Sequence, residues 1–142
     1  MSDGLVFPDA RDAVWDLLSG STHFDAFTNE TVTVRAVTTL PVDAYGLLER
    51  PFPLAHIRSA APGTQGFVDR VDRVAVDLYA PLETAVNVLE SISTYLTGSG
   101  IETPSGYLDA IEPDDLPVDV PYQSEVVKLA TATFLVVTRP IE

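Results

Sequence analysis

Cysteine is absent from the 142 residues, which excludes disulfides, thiolate nucleophiles and cysteine-ligated zinc. Basic residues are scarce: Lys128 is the single lysine beside seven arginines, 8 cations in all against 21 aspartates and glutamates. The resulting formal charge of -13 repels phosphate backbones and anionic membrane surfaces, so sequestering nucleic acid is a poor reading of this chain. Long apolar runs are missing too. The longest near the N-terminus is residues 5–7, with no basic residue before it, so neither a signal peptide nor a membrane span is expected.

Signatures of catalysis are missing as well. Of the two histidines, neither sits in a metal-ligand spacing such as HExxH. His23, in a loop between Thr22 and Phe24, reads as a solvated surface histidine, and His56, within an apolar run, as a packed or interface histidine. Asp114 and Asp115 are bracketed by Pro113 and Pro117 and read as a solvated acidic loop. They lack the regular acidic spacing of a calcium loop. No GxGxxG or GxxxxGK[ST] is present, and Ser105-Gly106 lacks the strand–nucleophile–helix elbow of a hydrolase. The expectation is no catalytic residue, no cofactor and no metal.

What the sequence does contain is an uneven distribution of charge. Between Arg73 and Lys128 there is no basic residue, while carboxylates run from Asp77 to Glu125. Arg35, Arg50, Arg58, Arg70 and Arg73 lie before that stretch. Such separation lets the positive side of one copy meet the negative side of another, beside the simpler role of keeping the protein soluble. In residues 69–73 an Asp-Arg pair repeats at three-residue spacing. An arginine beside a carboxylate keeps it ionised, so ion pairing is expected there rather than acid–base work. Arg70 and Arg73 are the candidate inter-subunit contacts.

Residues 1–142 read as one domain of ordinary size. Pro8, with Asp9 and Asp12, suits the first turn of a helix carrying Ala10, Ala13, Val14, Leu17 and Leu18, stopped by residues 19–21. Residues 21–30 read as a connector. Residues 31–37 alternate with β-branched side chains and predict a strand, and residues 43–46 a turn. A strand follows over 54–60, with Pro51 and Pro53 limiting its central pairing. Residues 61–66 form the clearest turn. Residues 67–79 read as a strand, in which Val68, Val71 and Val74 demand either a bulge near Asp72 or a hairpin arm running beyond the core. Pro81 opens a helix with an apolar stripe of Leu82, Ala85, Val86, Leu89, Ile92, Ser93 and Leu96, ended by Gly98 and Gly100. A strand at 107–111, an acidic proline-rich connection and a long strand over 126–138 complete the chain. Both faces of that last strand are apolar, which suits a central or partner-covered position. The expected fold is α+β, a mainly antiparallel sheet of four or slightly more strands with both helices on one face, in the order α-β-β-α-β-β.

Residues 67–81, FVDRVDRVAVDLYAP, followed by an amphipathic helix, resemble the central section of tail terminator proteins from long-tailed phages of actinobacteria. Residues 121–140, PYQSEVVKLATATFLVVTRP, resemble their final strand, and residues 7–10 and 51–54 also fit. The family is similar to the lambda-type tail terminator. The resemblance implies helices against an antiparallel sheet and a homo-oligomer, a hexameric ring, that ends tail elongation. The ring would contact the tail tube protein and the head–tail connector protein at the head-proximal end of the virion tail, after assembly in the host cytoplasm. DNA would pass through the channel without specific binding, and neither membrane, enzyme activity nor cofactor is implied. The alternatives are another head–tail connector or completion protein and, from a different class, a small α+β enzyme or ligand-binding domain.

Overall fold

The computed structural model describes residues 7–45, 48, 51–60, 64–65, 69–122, 124 and 126–140. In chain order they form α1 (Ala10–Leu18), β1 (Thr22–Asp25), β2 (Glu30–Thr33), β3 (Arg35–Val37), β4 (Leu54–Ser59), β5 (Thr64–Gln65), β6 (Arg70–Pro81), α2 (Thr84–Leu96), β7 (Gly98–Thr103), β8 (Gly106–Val120) and β9 (Val127–Thr138). The main sheet has the order β3-β4-β6-β9-β8-β7, with β5 pairing β6 beside β4, and β1 with β2 form a separate two-stranded hairpin. The β3–β4 pair is parallel and the other pairs are antiparallel.

This overturns the expected α+β fold with a four-stranded sheet and the order α-β-β-α-β-β. Of the described residues 53% are in strands and 18% in helices, and the sheet is curled and mixed. Four local features account for the difference. The expected connector at 21–30 contains β1, a turn and the start of β2. Val34, 1% exposed, interrupts the expected strand 31–37 and leaves β2 in the hairpin and β3 in the main sheet. Gly98 and Gly100 form part of an edge strand that pairs with β8. The proline-rich stretch after Ile111 stays in β8, because register shifts between Pro113 and Asp115 and between Asp115 and Val118 absorb the residues that cannot join a regular ladder.

The centre of the sheet is β6 against β9, paired without a register shift from Arg70↔Thr138 to Pro81↔Val127. No bulge occurs near Asp72, so the start of β6 is the arm of a hairpin; Phe67 and Val68 lie outside the described residues. β4 has partners on both sides despite Pro51 and Pro53, which precede its first paired residue. Alternation then separates two faces. Val74, Val76, Leu78 and Ala80 of β6 and Ala130, Ala132, Phe134 and Val136 of β9 point into one core with Ala55, Ile57, Leu108 and Ile111.

Both helices cover that face. Asp9 caps α1, its Oδ1 accepting the Asp12 N–H at 3.0 Å, so Pro8 precedes the helix. Ala10, Ala13, Val14 and Leu18 are buried, and Gly20 at φ +75° turns the chain away. In α2 the buried stripe is Thr84, Ala85, Val88, Leu89, Ile92 and Leu96. Its phase differs from the expected stripe because Pro81 still belongs to β6 and Leu82, at φ +51°, reverses the chain before the helix begins. The expected turn at 43–46 is described as far as Tyr45, whose N–H is accepted by Asp43 Oδ1 at 2.8 Å. The expected turn at 61–66 lies largely outside the described residues.

Candidate assembly surface

The helix-free face of the sheet carries polar and apolar side chains side by side. Leu54, His56 and Arg58 of β4 share it with Val71, Arg73, Ala75, Asp77 and Tyr79 of β6 and with Val127, Leu129, Thr131, Thr133, Leu135 and Val137 of β9, as the register requires. All six β9 residues there are half-buried, whereas Leu54, Ala75 and Tyr79 are buried, so this face is incompletely covered along β9 and closed around the middle of β6.

Its middle is polar. Asp77, 9% exposed, accepts from Arg58 Nε at 2.7 Å, Arg58 Nη2 at 3.3 Å and Thr131 Oγ1 at 2.6 Å. The carboxylate is therefore satisfied by a fork and a hydroxyl, as a buried charge must be. The hydrogen bond that Arg58 donates to Asp77 raises the Arg58 pKa above its ordinary value. Burial, with the Asp77 charge second, pushes the neighbouring Tyr79 phenol up as well. Tyr79 packs edge-on against Tyr122 at 5.4 Å. Sequence reasoning missed this network, although an aspartate centred in the run 74–79, with an arginine in the preceding strand, was its visible trace.

Arg73 Nε lies 3.3 Å from Asp114 Oδ2, and Thr133 Oγ1 is 3.3 Å from Asp114 Oδ2 and 3.1 Å from Asp115 Oδ2. The acidic pair thus stands in a strand beside an arginine and a threonine, not in a loop. Arg70 Nε lies 3.1 Å from the Asp72 carboxylate, and its guanidinium is 5.8 Å from the Phe7 ring centre. Both candidate inter-subunit arginines accordingly contact carboxylates of their own chain, Arg73 on the helix-free face and Arg70, by the alternation of β6, on the helix-bearing one, so the structure does not bring them together as one cluster.

The sheet edges are blunted. Arg35 N–H bonds the Pro53 carbonyl, so by alternation the Ala36 carbonyl points away from β4, where Trp15 Nε1 donates to it at 2.9 Å. β7 carries Gly100 at φ +62° without a paired residue. β8 beyond Ile111 carries prolines, register shifts and the exposed Glu112, Asp114, Asp115 and Asp119. These are devices that discourage strand addition. Exposed Leu116 and Val118 alternate among those charges.

The histidines occupy different settings. His56 is half-buried in β4, opposite Asp77, and its Nε2 donates to the Thr38 carbonyl at 3.3 Å. His23 is 4% exposed, contrary to the expected surface position, because the hairpin folds it inward against Tyr95. Among the described residues, no group of three or more His, Asp or Glu side chains is placed to hold a metal ion, and no helix is long and apolar enough to cross a membrane. In comparisons of the chain with protein-family models and with curated proteins, nothing matches.

Proposed function

We propose that this chain is a structural subunit of a phage tail, a terminator that closes as a hexameric ring on the tail tube and offers the surface to which the head attaches. The observation that carries this reading is where the resembling stretches fall. The described parts of 67–81 and 121–140 include β6 and β9, the two adjacent central strands, and so form one continuous ladder rather than two scattered patches. On the helix-free face of that ladder β9 carries half-buried apolar residues beside ion pairs, a surface suited to subunit or tube contacts. The blunted edges favour packing through this face and through the charged β8 extension over addition of strands. The tail tube protein on one side and the head–tail connector protein on the other are the partners in this reading.

The test is native mass spectrometry and analytical ultracentrifugation of the purified protein, followed by electron microscopy with isolated tail tubes. A six-membered ring in solution or at tube ends is the expected result. A monomer in solution together with bare tube ends at saturating protein overturns the proposal.

A further inference from the structure

The β1–β2 hairpin stands apart from the main sheet and is joined to it at a narrow base. There Gly20 N–H bonds the Val34 carbonyl at 3.0 Å, and Val34 N–H bonds the Ser21 carbonyl at 2.8 Å. Beyond that base, within residues 22–33, only His23 and Asp25 are buried and only Val32 is half-buried; every other residue is exposed. The arm therefore rests on the body through three inward side chains, two of which titrate. We propose that the hairpin is an acid-released arm, latched on α2 by His23 near one end of the helix and by Asp25 at the other.

The two latches differ in chemistry. Ser21 Oγ donates its one hydrogen to the Leu18 carbonyl at 2.9 Å, so in its 2.7 Å contact with His23 it accepts, and Nε2 of the neutral ring carries the proton. Nδ1 has no hydrogen-bond partner among the described residues. From α2 the ring meets Tyr95 edge-on at 5.1 Å, and the Tyr95 hydroxyl donates to the Leu17 carbonyl at 3.1 Å. Across the ladder it meets Val32. His23 forms no ion pair among the described residues, and burial pushes its pKa below the ordinary value. A second proton thus enters a ring with no counter-charge beside it.

Asp25 is 0% exposed. Its Oδ2 accepts from Thr84 Oγ1 of α2 at 2.7 Å and from Thr28 Oγ1 at 2.8 Å, and its Oδ1 from the Phe27 N–H at 3.0 Å. The titratable group facing it across the ladder is Glu30. Burial raises its pKa, but the donors outweigh burial and hold it below the ordinary carboxylate value. Both shifts have the same sign for the arm. Closure is fully supported above the ordinary histidine pKa of about 6.5 and weakens as pH falls through the window below it. The Asp25 latch holds until about pH 4 and fails below that.

The experiment is amide hydrogen exchange of the full chain from pH 7.5 to 4.5, corrected for intrinsic rates and repeated in low denaturant. The hairpin amides are expected to open by up to about tenfold more for each pH unit below about 6.5 until the folded His23 pKa is reached. Their opening should also depend less on denaturant than that of β6 and β9 amides, marking a local event. In His23→Gln the pH slope of the hairpin should vanish above about pH 4.5, leaving only the Asp25 latch. A flat hairpin profile in the wild-type chain overturns the proposal. So does a hairpin that exchanges with the same free energy and denaturant dependence as β6 and β9 at every pH, and this wild-type comparison stands whether or not the variant folds.

Discussion

At Asp25 and Leu89, single side chains fasten separate parts of the structure. Asp25 ties a hairpin turn to the first residue of α2 through Thr84, which is itself 6% exposed. Asp25→Ala leaves that hydroxyl unpartnered and removes charge-assisted bonds worth about 1.5–3 kcal/mol, and chemical denaturation at pH 7 should show a loss of that order. Because the folded pKa of Asp25 is depressed, its contribution is present above about pH 4 and is lost as pH falls through the folded value. The wild-type stability should therefore decline more steeply below pH 4 than that of Asp25→Ala, and parallel pH profiles would contradict this assignment. Leu89, 0% exposed on the core side of α2, is a simpler case. Leu89→Ala should cost about 2–5 kcal/mol, set by how far the sheet residues beneath it can collapse into the space. A loss under about 0.5 kcal/mol in the same measurement would show that the helix does not pack as described.

The connections between elements are where backbone conformation decides the outcome. Leu82 takes φ +51° between β6 and α2 and leaves 47% of its surface exposed, so the turn gains little from this side chain. Leu82→Gly should relieve the left-handed strain and raise stability by up to about 1 kcal/mol in thermal unfolding. Gly106 is the converse. It opens β8 at φ +137°, and a Cβ there would lie 2.8 Å from the Pro8 side chain, so Gly106→Ala should destabilise by more than about 1 kcal/mol. A neutral result at Gly106 would mean that Pro8 does not pack there. These two turns also show what could be read from residue order. The period of β9 marked both of its faces, and the spacing of Ala10, Ala13, Val14 and Leu18 marked α1, because each pattern answers to one burial direction. The start of α2 was misplaced because Pro81 is as acceptable at a strand end as in a helix's first turn, and only pairing with Val127 decides between them. β7 and the far half of β8 were hidden for a related reason. Glycines and prolines signal interruption locally, yet a neighbouring strand can still hold them in its ladder. The candidate surface was partly visible, as the uneven charge and the two-faced final strand, while the Arg58–Asp77–Thr131 cluster joins residues from three strands and exists only once their register is set.

For the whole molecule, the distribution of charge limits what the chain can hold. Arg58, Arg70, Arg73 and Arg139 each lie no more than 3.3 Å from a carboxylate of their own chain, so much of the scarce positive charge is already neutralised. The exposed carboxylates of β8 face solvent on the other side of the balance. A ring built from such subunits would offer passing DNA little to grip, since attraction to duplex comes from arginine and lysine displacing condensed counterions. The protein, alone or assembled, should show no binding to duplex DNA tighter than about 100 µM at roughly 0.15 M salt, where non-specific binders reach about 1–100 µM. Fluorescence anisotropy with a labelled duplex, titrated at several salt concentrations, checks this. Tight binding that weakens steeply with salt would require a basic surface created by assembly. It would reject the view that DNA crosses the ring without being held, while leaving the fold of the single chain unchanged.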